Sequence, residues 1–283
     1  MNSKLGIATR GGIGDCLMMT PAIKSLKLSN PEKELWVFCI TEEHYEVLKG
    51  NIYIDNLLTG EKGIKIMSRN FSDNQIKYFN PADILPSINK SNKRYSQIYC
   101  DFFKTPFLGD ELELYFHKDE VLSFSKKYYS KSENIITINP TSKCSKNQEW
   151  SIDKWVSLIR EFPMYKFIQI GLPNEEYIDG AYDLRGKLSL RESCIAVKNS
   201  FLYIGVDSFF GHVSSALDVN SIILFGDSSP NIYSHDNSTS IYKNLECSPC
   251  YELLNGRICP YNKKCMHSIQ VSDVVKGIKT KLN

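Results

Sequence analysis

The stretch Phe201-Leu202-Tyr203-Ile204-Gly205-Val206-Asp207-Ser208-Phe209-Phe210-Gly211-His212 decides the fold. Residues Phe201 to Val206 read as an apolar strand that runs directly into a helix over Ser208 to Leu217, and Ser221 to Phe225 reads as the next strand. Strand, helix and strand in immediate succession imply a parallel sheet and an α/β fold. Working outward, Ile135 to Ile138 and Lys166 to Ile170 are further strands, and Ser151 starts a helix to Phe162. Ser189 and Glu192 form a capping-box pattern for a helix to Lys198, and Ser272 starts a last helix through Lys281.

The N-terminal half repeats this logic. Lys4 to Ala8 is a strand, Arg10-Gly11-Gly12-Ile13-Gly14-Asp15 a glycine-broken turn, and Leu17 to Leu28 a helical pattern. Leu35 to Ile40, Ile52 to Leu58 and Gln97 to Cys100 are read as later strands. The Lys-, Ser- and Tyr-rich segment from Phe116 to Glu133 separates the halves. Two domains are therefore expected, 1–130 and 131–283.

Composition narrows the function. The 283 residues are 42% hydrophobic and 23% charged, which is ordinary for a globular chain, and the net charge of +2 is too small to gather nucleic acid without sequence preference. No apolar run approaches the roughly 18 residues of a membrane span. Arg10, the glycines and Asp15 break any signal-peptide core near the start, so a cytoplasmic protein is expected.

Three loops follow strands, where the N–H groups of helix N-termini can meet phosphate. The first, Arg10 to Asp15, has neither the G-x-G-x-x-G spacing of a dinucleotide fingerprint nor the G-K-[ST] of a P-loop. Asp15 at its helix start satisfies the helix dipole in one reading and serves as a general base in the other. The second loop, Asn139 to Trp150, carries hydroxyls and lysines that suit a phosphate, or a solvated surface. In the third, His212 sits one turn inside a helix, where packing is as natural a role as chemistry.

Taken in order, Arg10-x3-Gly14-Asp15-x4-Thr20-Pro21-Ala22-x3-Leu26-Lys27, then Asn139-Pro140-Thr141-Ser142 leading to Trp150 and Trp155, then Asp207-Ser208-x3-His212-x3-Ala216-Leu217 and Phe225-Gly226-x3-Pro230, resemble glycosyltransferase family 9, the ADP-heptose heptosyltransferases. The resemblance implies the GT-B architecture, two Rossmann-like domains facing a central cleft, with the acceptor on the first and the nucleotide sugar on the second. It implies an inverting transfer of heptose or a related sugar from ADP-heptose to a hydroxyl of a glycan, of the lipopolysaccharide core or of a protein. Asp15 matches the base, with Arg10 and Gly14 on the acceptor-side loop. Thr141, Ser142, Asp207, Ser208 and His212 match donor-binding positions. No catalytic metal is expected.

Two positions depart from the family pattern. Gln148 stands where a basic residue is usual, so Lys146 or Lys143 would have to reach the phosphate, and Phe209 replaces a small residue beside the nucleotide. Two other classes stay open on the sequence: a related enzyme such as a nucleotide-sugar epimerase, and a non-catalytic, metal-stapled binding module. Lys90, Lys93 and Arg94 offer peripheral contact with a membrane, which for a lipopolysaccharide acceptor would be the inner membrane.

Four of the nine cysteines, Cys247, Cys250, Cys259 and Cys265, fall within 19 residues. Four thiolates with a C-x-x-C knuckle match the donor set of a closed, structural four-cysteine site, with zinc as the default and iron as the rival. The iron alternative also draws on the resemblance, since some protein-modifying relatives carry an iron-bound cysteine cluster. Reduced thiols packed in a loop are the plain alternative.

Overall fold

A computed structural model describes residues 3–72, 75–78, 93–128, 134–254 and 257–282. By its contacts the chain divides into two units, 1–117 and 118–283. The expected boundary at 130/131 lies outside the described residues, and the division falls earlier because the helix Lys118–Tyr128 belongs to the second unit. There Glu120 holds the guanidinium of Arg191, on the helix Leu190–Lys198, through two hydrogen bonds of 2.7 and 2.9 Å.

In the second unit all strands are parallel. They are β5 (Ile135–Asn139), β6 (Lys166–Gln169), β7 (Tyr182–Asp183), β8 (Leu202–Val206), β9 (Ser221–Phe225) and β10 (Ser238–Tyr242). Their order is β10-β9-β8-β5-β6-β7. The first three strands of this unit thus run one way from β5 and the last three run the other way, so the order reverses between β5 and β8. This is the doubly wound Rossmann arrangement. Strands β5, β8 and β9 are buried along their whole length, as parallel strands covered on both faces must be. Trp155 and Leu158 on the helix Ile152–Arg160, together with Val274 and Ile278 on the helix Val271–Leu282, pack on Ile136, Ile138, Ile204 and Ile222.

The first unit holds a smaller parallel sheet in the order β3-β2-β1-β4. Its strands are β1 (Lys4–Ala8), β2 (Glu34–Cys39), β3 (Asn56–Thr59) and β4 (Ile76–Tyr78). Two parallel α/β units match the expected GT-B plan. One expectation fails here: Gln97 to Cys100 is not a strand but part of the helix Tyr95–Phe103. Tyr95, Ile98, Tyr99 and Phe103 are buried at helical spacing, and the three-residue apolar run Ile98 to Cys100 is too short for its period to be told. The capping box is present as expected, with Glu192 N–H donating to Ser189 Oγ at 3.2 Å and Ser189 N–H to Glu192 Oε2 at 2.8 Å.

Candidate active site

In the first unit the turn after β1 leads into the short helix Ile13–Met18, and Asp15 lies in its first turn. The Gly12 N–H donates to Asp15 Oδ2 at 2.7 Å. Glycine has no side chain to return the bond, so only half of a capping box forms. Burial raises the Asp15 carboxyl from its ordinary range, while the Gly12 N–H and the Tyr95 hydroxyl pull it back down. Tyr95 comes from the helix Tyr95–Phe103, so the element misread as a strand supplies a partner of the candidate base. Gly14 is half-buried inside the short helix and Arg10 is exposed on the turn.

Behind the turn stands His44, which sequence reasoning passed over. It is 1% exposed, its Nδ1 lies 2.7 Å from Thr9 Oγ1, and the backbone of Gly11 and Gly12 also bonds its ring. Burial lowers its basicity, so it is held as the neutral imidazole. Its signal in the sequence was only its place at the start of the helix Glu42–Leu48, after β2.

The second unit gathers polar residues at the carboxyl ends of its strands. Asn139 ends β5 and bridges three strands: Nδ2 donates to the Ile170 carbonyl at 3.2 Å, and Oδ1 accepts from Ser208 Oγ at 3.4 Å. Thr141 is half-buried and Ser142 buried in the loop that follows. Ser208 stands at the N-cap position of the helix Phe209–Ala216 without a side-chain capping bond, and Asp207 lies just before it, at the reversal point between β5 and β8. Burial pushes the Asp207 carboxyl up to about 7, opposed by the Ser228 hydroxyl and helped by the neighbouring charge of Asp227. At neutral pH this group is partly protonated, so it can donate a hydrogen bond as well as accept one.

His212 is buried, with Nδ1 2.8 Å from Nε2 of His235, and burial together with that second imidazole holds it neutral. Phe209 packs on Phe210, ring centroids 5.2 Å apart. Lys146 is exposed and its ammonium pairs with Glu149 Oε1 at 2.8 Å. Gln148, at the position usually basic, is buried and turned toward Asp227.

Asp227 is the residue that sequence reasoning missed most plainly, although it follows the quoted Phe225-Gly226 pair. Its Oδ2 accepts from Ser145 Oγ at 2.6 Å, and its carbonyl accepts the N–H groups of Cys250 and Tyr251 at 2.7 and 2.8 Å. Glu175 is another. It lies over Gly171, just past the end of β6, where φ is +145° and a Cβ would collide with Glu175 Oε2. That oxygen is buried with no hydrogen-bond partner among the described residues.

The four clustered cysteines lie in one neighbourhood. Burial pushes the Cys250 thiol up to about 12, and Asp227, Cys265, Cys259 and Cys247 add to the rise. The donor set is that of a tetrahedral metal site. Yet among the described residues no group of three or more His, Cys, Asp or Glu side chains is placed to hold a metal ion, so the sulfurs gather without closing a coordination sphere. Lys93 pairs with Asp101 at 2.6 Å and Arg94 with Asp110 at 3.0 Å, which occupies two of the three cations read as membrane contacts; Lys90 lies outside the described residues. No described helix is long and apolar enough to cross a membrane.

Residues 108–256 match the family model of glycosyltransferase family 9 (heptosyltransferase), more than half of the chain. No curated protein matches the sequence. Among solved structures, a glycosyl transferase family 9 protein from Veillonella parvula DSM 2008 superposes with a TM-score of 0.76 at 17% identity, over 99% of this chain and 97% of that one. The ADP-heptose lps heptosyltransferase II of E. coli gives 0.68 at 13% identity, over 99% and 98%. The iron-containing dodecameric TibC of enterotoxigenic E. coli H10407, a heptosyltransferase, gives 0.70 at 13% identity in its complex with ADP-D-beta-D-heptose, over 99% and 76%. At these identities the likenesses speak for the fold, whereas the family model speaks for the chain itself. The chain therefore belongs to glycosyltransferase family 9, the heptosyltransferase family, and is a glycosyltransferase rather than an epimerase or a non-catalytic module.

Proposed function

We propose that this enzyme moves a heptose from ADP-heptose to a hydroxyl acceptor with inversion at the anomeric carbon, the donor resting on the second unit and the acceptor on the first. The observation that carries the donor assignment is the reversal of strand order between β5 and β8, where Ser208 bonds Asn139, Thr141 and Ser142 follow β5 and Asp207 follows β8. Crevices at such points are where doubly wound sheets bind nucleotides. The N–H groups at the start of the helix Phe209–Ala216 and the hydroxyls of Thr141 and Ser142 suit the diphosphate. Glu175, just beyond the second strand of its unit, stands where a Rossmann domain places the carboxylate that holds a ribose hydroxyl, and its unpartnered oxygen suits that role. The choice of ADP-heptose follows the relatives named for that donor.

The chemistry asked of Asp15 is limited. Its carboxylate accepts the proton of the acceptor O–H as the oxygen forms its bond to the anomeric carbon, and the bond from that carbon to the diphosphate breaks on the opposite face. The electron pair leaves on ADP, whose new charge meets the N–H and hydroxyl groups of the second unit. Burial favours Asp15 as a base because a raised carboxyl binds the transferred proton more firmly.

We further infer a structural metal, zinc or iron, at Cys247, Cys250, Cys259 and Cys265. Its supports are the donor chemistry, the shared neighbourhood of the sulfurs and the iron-containing relative; it would require the sulfurs to draw together from their described positions. A cytoplasmic site, with lipopolysaccharide core, another glycan or protein as acceptor, completes the reading.

Release of ADP from ADP-heptose, measured with lipopolysaccharide-core and protein acceptors, tests the proposal. The expected result is acceptor-dependent release and a product of inverted anomeric configuration. A retained configuration would remove the single-displacement role of Asp15, and turnover of UDP-sugars alone would remove ADP-heptose.

A further inference from the structure

Asn147 sits in the single helical turn Lys146–Gln148 of the loop after β5, and its side chain is buried. Its Oδ1 accepts the Cys259 N–H at 3.1 Å and its Nδ2 donates to the Arg257 carbonyl at 2.8 Å. Both ends of one amide thus hold the backbone of residues 257–259, a stretch otherwise open to water: Ile258 is 92% exposed. Two residues earlier in the same loop, Ser145 bonds Asp227, whose carbonyl takes the N–H groups of Cys250 and Tyr251. The loop therefore grips the cysteine-bearing segment at two separate places, directly through Asn147 and indirectly through Ser145 and Asp227. Gly226 leaves no slack between them, since a Cβ there would come within 2.6 Å of the Met266 sulfur and 3.2 Å of the Asn147 carbonyl oxygen.

We propose that Asn147 is a positioning residue for the donor: it anchors the phosphate-side loop 139–150 to residues 257–259, so that binding of a nucleoside diphosphate at the loop and ordering of the cysteine segment are one coupled event. The proposal rests on the reading of that loop as part of the donor site. Its physical basis is linkage. If the ligand orders the loop, and the loop's amide holds the segment, then the ligand must slow opening of the segment, and whatever fixes the segment must tighten the ligand by the same factor. The two grips are separable from one side only: Asn147 alone bonds the backbone of residues 257–259, whereas Ser145 both donates to Asp227 Oδ2 at 2.6 Å and accepts the Asn147 N–H at 3.2 Å, so it serves both.

The test is amide hydrogen exchange on the full-length protein with and without ADP, with calorimetry of ADP binding on the same samples. In the wild type, saturating ADP should slow exchange several-fold both at 250–254 and at 257–263. In Asn147→Ala the effect at 257–263 should vanish while that at 250–254 persists, and ADP should bind several-fold more weakly. Ser145→Ala, which removes the bond to Asp227 and the cap of the turn that carries Asn147, should weaken the effect at both stretches. ADP binding to the wild type with unchanged exchange at 257–263 overturns the coupling, and so does Asn147→Ala that keeps that effect or loses both together. If Asn147→Ala does not fold, the wild type and Ser145→Ala still decide, since Ser145→Ala that binds ADP and keeps the full effect at 257–263 also overturns the coupling. Absence of ADP binding to the wild type overturns the donor reading, and the coupling with it, and the calorimetry distinguishes that case from failure of the coupling alone.

Discussion

The N–H of Gly12 donates to Asp15 Oδ2 at 2.7 Å, closing the first turn of the helix Ile13–Met18 onto the carboxylate. A helix-start acid makes this contact whether or not it does chemistry, so geometry alone does not separate the two roles. Substitution does. Asp15→Asn keeps shape and one acceptor oxygen but removes the base, and kcat should fall by about 10²–10⁴-fold with donor affinity unchanged. Steady-state kinetics with a fixed acceptor check this; wild-type turnover would leave Asp15 as a helix-start residue only.

The hydroxyl of Tyr95 lowers the Asp15 carboxyl against the pull of burial. Removing it in Tyr95→Phe should let that carboxyl rise further. The base is then protonated at higher pH, so the acidic limb of the pH–rate profile should move upward, with the plateau rate at high pH kept close to wild type. An unmoved limb would mean that another group governs it.

Asp207 makes a stability prediction. Its folded value of about 7 lies above the ordinary value of 3.8, so between those limits the folded state holds a proton that the unfolded chain has released. Stability from this group is therefore greatest in acid and declines as pH rises toward 7. Asp207→Asn removes the slope. The melting temperature of the variant relative to wild type should improve from pH 5 to pH 8 by several degrees, roughly 1–3 kcal/mol. Parallel curves for the two proteins would contradict the assignment.

The cysteine site predicts about one equivalent of zinc or iron in protein purified without chelator. Cys250→Ser should lose both the metal and thermal stability. Four freely titrating thiols with no bound metal would remove the site.

The α/β class, the strand–helix–strand core and the capping box at Ser189 and Glu192 were legible in the sequence, because buried parallel strands and caps leave local signatures. The helix Tyr95–Phe103 was not, since its apolar run of Ile98, Tyr99 and Cys100 is strand-like over so short a span and only packing on the helix Thr20–Leu28 selects its period. The motifs gave Asp15, Asp207 and Ser208 their addresses at strand ends. They did not give Asp227, Glu175 or Asn147, whose roles depend on partners such as Ser145, Gly171 and Cys259 that only the folded chain brings near. Gln148 looked like a lost phosphate ligand, whereas in the fold it is a buried neighbour of Asp227.

Thermal unfolding with ADP is the most direct test of the central claim, that the carboxyl ends of β5 and β8 bind a nucleoside diphosphate sugar. A ligand at a hundred times its Kd adds about 2.7 kcal/mol to the folded state. For a chain of this size the account predicts a rise of several degrees with millimolar ADP, and a smaller rise in Ser208→Ala, which removes the N-cap hydroxyl beside Asn139. No shift with ADP, UDP or GDP would contradict it.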